Sequence, residues 1–301
     1  MKSKNRKIKV PASISFLVVI IALVCYLQPW NTFTDSEEAE KTGSIGDCCL
    51  MVRFIDVGQG MATLLEHQGE FALIDTGDTE GRDALMSTLA EAKVESLTYL
   101  VGSHAHSDHI ANFPQVLESY SVENVILNVY DYDSKTWDNA LTAIDAAGLK
   151  ATPAMTGDSF TLGDVELQVL SPWQEVTEYS ETNDTSIVLK VSHGSDDFLI
   201  CGDATVYVEN ELIYRFGEEL QCEVYNVAHH GSYLSNSPQF LQAVAPDIYV
   251  ISAGEGNQYD HPNAETLDRI ANQGGKVYRT DESGTIVIYS DSQGINVISP
   301  Q

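Results

Sequence analysis

The stretch Ser103-His104-Ala105-His106-Ser107-Asp108-His109 decides how this chain is read. Three imidazoles and a carboxylate crowd positions 104–109 of a 301-residue chain that has eight histidines in all. The stretch follows the apolar run Leu97–Val101, which reads as a buried strand, and precedes a helix expected over Ile110–Tyr120. It therefore occupies a loop at a strand's C-terminal end, where sites in α/β proteins lie. Side chains on extended backbone repeat every two residues, so His104 and His106 point the same way. Asp108 and His109 open the next turn and can face a second ion. Nitrogen and oxygen donors of this kind suit zinc, and also manganese or iron.

Strands and helices alternate on either side of the loop. Met51–Asp56, Ala62–His67 and Phe71–Asp75 read as a meander of short strands separated by glycine-containing turns. Helical spacing marks Asp83–Ala92. Further strands are expected at Val125–Val129, Val165–Leu170, Ser186–Ser192, Phe198–Cys201, Glu223–Val227 and Ile248–Ser252. Helices are expected at Val206–Phe216, Pro238–Val244 and Pro262–Gln273. Gly284–Tyr289 and Ile295–Ile298 close the chain as a hairpin. The pattern implies a mixed α/β (α+β) domain over 49–301, with two sheets between helical layers. His67 reads as an exposed strand-end residue and His193 as a hairpin residue.

The N-terminus differs in composition. Lys2, Lys4, Arg6, Lys7 and Lys9 make residues 1–9 a basic segment. The apolar run from Val10 to Leu27 reaches the lower limit of about 17–25 residues for a spanning helix, giving a transmembrane anchor at 10–28. The sequence after it, Cys25-Tyr26-Leu27-Gln28-Pro29-Trp30, is too bulky for a cleavage site. An uncleaved anchor is therefore favoured over a cleaved signal peptide. The basic flank stays in the cytoplasm, so the domain is expected outside. Asp35, Glu37, Glu38 and Glu40 make residues 29–48 an acidic linker.

The formal charge is −28, from 44 acidic and 16 basic residues, and such a surface repels phosphate backbones at long range. Broad, non-specific nucleic-acid binding is disfavoured, although bound cations invert the local field at a site. Five cysteines are present, with no CxxC pair. Export permits disulfides among Cys48, Cys49, Cys201 and Cys222, and small buried hydrophobes are the equal alternative.

The loop reproduces an HxHxDH motif, and the sequence resembles the metallo-β-lactamase superfamily in order along the domain. Asp75 in Leu73-Ile74-Asp75-Thr76-Gly77 resembles the family's early structural aspartate. Asp203 in Ile200-Cys201-Gly202-Asp203 resembles the aspartate that bridges two metals, and His229-His230-Gly231-Ser232 the late histidine ligand. The subgroup it resembles is the hydrolase domain of ComEC-type competence proteins. The matching residues are Val57-Gly58-Gln59-Gly60, Asn183-Asp184-Thr185-Ser186 and His261-Pro262. The likeness covers about residues 50–298 and implies a four-layer αββα sandwich. It lacks the multi-span channel region of those proteins, so DNA import is not implied. Met61 replaces the usual acidic or polar residue after Val-Gly-Gln-Gly, and Asn183 stands where an imidazole ligand is expected.

The resemblance implies two divalent ions, with zinc first and manganese second, held by His104, His106, Asp108, His109, Asp203 and His229. Spacing does not decide between His229 and His230. His229, nearer the strand end, is favoured, which leaves His230 to orient substrate or donate a proton. His261 lies in a polar loop and reads as an active-site acid or as support for a neighbouring group. Ser232 offers a hydroxyl near the metals, or caps the segment that follows. The expected reaction is hydrolysis by metal-acidified water, with Asp108, His230 and His261 as catalytic candidates. No Gly-x-Ser-x-Gly elbow offers a serine nucleophile. A small-molecule or nucleic-acid phosphodiester is the leading substrate, then a small ester, lactone or other metabolite. A non-catalytic metal-binding surface module is the rival from another class. No motif names a protein partner.

Overall fold

Period-two alternation sets the direction in which each sheet faces. In β1 (Leu50–Phe54), Leu50, Val52 and Phe54 are fully buried while Met51 and Arg53 are half-buried. The computed structural model describes residues 49–128, 130–173, 181–291 and 294–298, all within the unit Gly46–Gln301. The expected basic segment 1–9, anchor 10–28 and acidic linker 29–48, with Cys25 and Cys48, lie outside the described residues. Among the described residues no helix is long and apolar enough to cross a membrane.

The first sheet contains β1, β2 (Thr63–His67), β3 (Glu70–Ile74), β4 (Ser96–Val101), β5 (Ser121–Leu127) and β6 (Ala151–Pro153). The second contains β7 (Ser159–Leu162), β8 (Val165–Ser171), β9 (Val188–His193), β10 (Asp196–Ile200), β11 (Val224–Asn226), β12 (Ile248–Ile251) and β13 (Lys276–Arg279). The terminal hairpin β14 (Ile286–Ser290) and β15 (Ile295–Ile298) returns to the first sheet. The strand orders are β15-β14-β1-β2-β3-β4-β5-β6 and β13-β12-β11-β10-β9-β8-β7. Strands β3 to β6 run parallel, as do β10 to β13; the other pairings are antiparallel.

Three buried clusters separate four layers. One lies between the sheets, where Val52, Leu65 and Ile74 meet Leu167, Leu189 and Phe198. A second joins Leu64, Leu73 and Leu100 on the outer face of the first sheet to α1 (Arg82–Glu91), α2 (Ser107–Ile110), α3 (Phe113–Ser119) and α4 (Lys135–Ala146). The third joins Leu199, Tyr225 and Tyr249 on the second sheet to α5 (Val206–Phe216), α6 (Pro238–Val244) and α7 (Ala264–Gln273). One further turn of helix, α8 (Thr280–Ser283), precedes the terminal hairpin. This is the expected two-sheet α/β sandwich. Its parallel βα units bring the loops after β3, β4, β10, β11 and β12 to one end.

Several elements differ from the sequence reading. The helix expected over Ile110–Tyr120 is two helices, α2 and α3, with Pro114 at the start of the second. Proline is tolerated in a first turn, where its missing N–H has no partner to lose. The strands β6, β7 and β13 were not expected, and each forms the edge of a sheet. Edge strands bury little apolar surface, so they carry little alternation. Helix α4 was not expected either, although Trp137, Ala140 and Ile144 have helical spacing and the Ser134 hydroxyl accepts from the Trp137 N–H. Cys201 and Cys222 are buried free thiols, and burial pushes both up.

His67 is a correction. It ends β2 as expected, but it is fully buried rather than exposed. The turn between β7 and β8 covers its ring closely: a Cβ on Gly163 would lie 2.8 Å from the imidazole. His193 does end β9 at its hairpin, and it is buried too.

Candidate metal centre

Asp75 organises the histidine loop. It follows β3 with φ +59°, in the left-handed region that non-glycine residues rarely adopt. Its carboxylate accepts hydrogen bonds from the Ser103 N–H and the Ser103 hydroxyl, each at 2.7 Å. It also accepts from His109 Nδ1–H at 2.7 Å. A carboxylate that takes the Nδ1 proton leaves Nε2 as the free donor atom. That Nε2 lies 3.2 Å from Asp203 Oδ1. Ser103 Oγ, its own proton given to Asp75, lies 3.1 Å from His104 Nδ1 and accepts from it. Nε2 of His104 is thereby turned to His106 Nδ1 at 3.1 Å and Asp203 Oδ2 at 3.8 Å.

The Val57-Gly58-Gln59-Gly60 turn supports the same loop through its backbone. The Met61 N–H donates to the Asp108 carbonyl at 3.0 Å, and the Gly77 N–H donates to the Met61 carbonyl at 2.9 Å. A Cβ on Gly60 would stand 2.5 Å from that Asp108 carbonyl, and φ there is +148°, so glycine is required. The Met61 side chain is buried, so the residue type at this position follows from packing.

The late histidines arrive on a strained turn after β11. His229 and His230 both have φ +54°, followed by Gly231 at φ +82°. Non-glycine residues held in this region cost about 1–3 kcal/mol each, and they cluster at functional sites. The double left-handed turn directs His230, not His229, to Asp108. Its Nδ1–H donates to the Ser252 carbonyl at 2.9 Å. Its Nε2 lies 3.3 Å from Asp108 Oδ2 and 3.5 Å from Asp203 Oδ1. His229 lies to one side, with Nε2 at 3.7 Å from Asp203 Oδ2 and 3.3 Å from Asn183 Nδ2.

Two donor sets result. Asp108, His109, Asp203 and His230 form one, and His104, His106 and Asp203 the other, so Asp203 belongs to both. Asn183 borders the second set. Ser232 does not reach the centre: its hydroxyl accepts from the Leu234 N–H at 3.3 Å and closes the turn, while Ser237 caps α6. The cleft above the donors has a volume of about 310 Å³. Its lining includes His106, Asp108, Asn183, His229 and His261, and also Gln59 and Tyr259, neither of which was read as a site residue. Tyr259 stacks on His261 with ring centroids 5.6 Å apart. Tyrosine before Asp260-His261-Pro262 carries no pattern of its own; only the loop's path brings it here.

Electrostatics agree with a cation-binding centre. Burial pushes the Asp203 carboxyl up, but His109 and His230 outweigh it and hold the group well below its usual range. Burial likewise opposes ionisation of Asp108, and the neighbouring His230 and His109 overcome it and hold the carboxyl low. Burial lowers His109, yet Asp203 and Asp75 raise it well above the ordinary value. Burial and its neighbour His109 hold His104 low; burial also lowers His106 and His229. His261 falls to about 4 through burial and the nearby His230 and His229.

These residues fit divalent metal ions. His109 Nε2, His230 Nε2 and Asp203 Oδ1 are buried with no hydrogen-bond partner among the described residues, as is Asn183 Oδ1. Buried polar atoms without partners are rare in folded proteins. Here the unpartnered atoms of one donor set point at one another, and imidazole with carboxylate is a donor combination zinc, manganese and iron accept.

Residues 55–255 match the family described as the metallo-beta-lactamase superfamily. The chain belongs to that superfamily. Among curated relatives, it is 29% identical over 253 residues to ComE operon protein 3 of Bacillus subtilis, covering 78% of this chain and 32% of that protein. It is 30% identical over 237 residues to recombination protein 2 of Haemophilus influenzae, covering 77% of this chain and 28% of that protein. The chain thus spans about a third of the length of these relatives, and the likeness to competence-type proteins is confirmed at the level of the domain. Among solved structures, the metallo-β-lactamase fold protein YhfI of Bacillus subtilis superimposes with a TM-score of 0.53 at 14% identity, over 80% of this chain and 99% of that one. CmlA, a diiron β-hydroxylase from Streptomyces venezuelae, gives 0.50 at 15% identity, over 76% of this chain and 52% of that one. These two likenesses establish the fold.

Proposed function

We propose that the domain is a metal-dependent hydrolase acting on phosphodiesters. The observation that carries it is the convergence of two donor sets on one shared carboxylate, Asp203, at the floor of an open cleft. His104, His106 and Asp203 would hold one ion; Asp108, His109, His230 and Asp203 would hold the other. Bound divalent ions supply acidified water near neutral pH and offset charge on the phosphoryl oxygens. Asp75, Ser103 and the Ser252 carbonyl keep the imidazoles in the right tautomer. Asn183 offers an amide oxygen, a weaker donor than the imidazole it replaces. His261, held neutral, has no spare proton at pH 7, so it serves as a hydrogen-bond partner for substrate. Tyr259 at the rim supplies a ring face on which a base or aryl leaving group can stack. The relatives named for competence and recombination support the phosphodiester reading.

A second reading rests on the adjoining cavity, of about 530 Å³, lined by Asp56, Asp78, Glu80, Asp108 and Glu255. Carboxylates there repel a long polyanion and favour a small ester, lactone or other metabolite. The test is a metal-loaded full chain assayed against an aryl phosphodiester, single-stranded DNA, and small esters and lactones. Phosphodiester turnover that disappears in Asp108→Ala at matched metal loading is expected. Turnover of esters alone would favour the second reading, and undiminished activity in the variant would remove the centre from the chemistry.

Residues 10–28 are proposed to anchor the domain outside the cell membrane. Protease added to wall-permeable cells is then expected to remove it, and complete protection would contradict this topology.

A further inference from the structure

A second group of metal-type donors lies at the opposite end of the sandwich. The metal centre follows the C-terminal ends of β3 and β10. His67 pairs with Glu70 at the start of β3, and His193 pairs with Asp196 at the start of β10. A five-residue strand separates the two ends by roughly 13 Å of chain. Between these hairpins stands Asp164, on the turn joining β7 to β8. One donor atom of each of His67, Asp164 and His193 lies within 4.8 Å of the others.

Hydrogen bonding determines which atoms are free. His67 Nδ1 lies 3.2 Å from the Cys49 carbonyl, which only accepts, so Nδ1 carries a proton. Nε2 is then the lone-pair nitrogen, and it faces the Asp164 carboxylate directly. Two acceptors in contact require a cation between them. His193 Nδ1 lies 2.7 Å from Ser290 Oγ, whose hydroxyl proton goes to Asp196 Oδ2 at 2.6 Å. Ser290 therefore accepts from His193 Nδ1–H, and the free donor of His193 is also Nε2. A proton bridges two atoms only, whereas three donors within 4.8 Å of one another are a set that one metal ion can gather. Both imidazoles have Nδ1 tied to an oxygen acceptor, the arrangement found around metal-ligating histidines.

We propose that His67, Asp164 and His193 form a second, structural metal site that takes zinc or another imidazole-binding transition ion. Nothing in it depends on the catalytic reading. His67 and His193 are buried, while the Asp164 side chain is 71% exposed, so the fourth position opens to water. The contraction needed for bonds of about 2.0–2.2 Å is supplied by the exposed Asp164 turn. The ion would clip the β2–β3 hairpin of the first sheet to the two hairpins of the second. Through the Cys49 carbonyl it would also hold the chain where the domain begins.

The experiment counts zinc in the purified full chain, in Asp164→Ala and in Asp203→Asn, each equilibrated with zinc and freed of excess. Asp164→Ala is expected to hold one ion fewer than the full chain, to keep its turnover, and to melt lower in zinc but equally in chelator. Asp203→Asn is expected to lose ions at the other end and keep this one. His193→Gln provides a second probe. An unchanged ion count in both Asp164→Ala and His193→Gln would overturn the proposal and leave a proton-bridged pair. Because Asp164 lies outside the cleft, failure of this site and failure of the hydrolase reading give different results.

Discussion

The two ends of the sandwich use histidine in different ways. At the cleft end, His104 and His106 sit on the loop after β4, His109 on the short helix α2 and His230 on the turn after β11, and Asp75, His229, His230 and Asp260 have positive φ. At the far end, His67 and His193 terminate regular strands and have no positive φ themselves; the one left-handed non-glycine residue beside them, Gln68, belongs to the hairpin turn and carries no donor of the group. The cleft also gathers three carboxylates around its imidazoles, Asp75, Asp108 and Asp203, against the single Asp164 in contact at the far end. Strained loops can aim donors at a substrate, whereas strand ends hold them in one rigid place. The difference supports the proposed chemistry at the first group and the proposed stabilisation at the second.

The largest expected effect is at the shared carboxylate. Asp203→Asn removes a charge from both donor sets, so turnover should fall by more than about 100-fold, beyond the range typical of outer ligand partners. Activity within tenfold of the unmodified chain would dissolve the distinction between the two ends. His230→Ala should weaken metal binding by at least about tenfold more than His229→Ala, because only His230 joins Asp108 and Asp203. Equal losses in a metal-competition titration would return His229 to the ligand set. Asp75→Asn should lower metal affinity by about 10–100-fold through lost orientation of His109. Its folding in chelator should change less than its activity, which thermal melting compared with turnover would show.

The smallest effect concerns protons. Without metal and against burial, Asp203 and Asp75 raise His109, and Asp203 and Asp108 raise His230, so both imidazoles hold their second protons to higher pH than a free imidazole does. Metal must displace those protons, so affinity should rise as pH rises and binding should release protons. Calorimetry in two buffers of different ionisation enthalpy measures that release. A heat independent of buffer would mean that these imidazoles are already neutral.

Much of the fold was legible because its central strands are apolar enough to alternate visibly. Helices α5 and α6 fall on the expected residues, Val206–Phe216 and Pro238–Val244. The edge strands β6, β7 and β13 were not legible, since exposure leaves them no periodic constraint. Helix α4 was missed although its signal was present at Ser134, Trp137, Ala140 and Ile144. The donors at 104–109 were readable because ligands from one loop must be adjacent in sequence. Gln59 and Tyr259 reach the cleft from loops 200 residues apart, and no local pattern reports that.

Residue order alone determined the superfamily, the histidine loop, and the succession Asp75, Asp203, His229-His230. Those signals survive in one dimension because each motif must turn the backbone at a strand end. Only the tertiary structure brings His230 rather than His229 against Asp108, because two successive left-handed residues reverse the direction a regular strand end would have implied. It also decided the fate of His67, His193 and Asp164. These three belong to separate hairpins, and only the stacking of one sheet on the other places their donors within 4.8 Å.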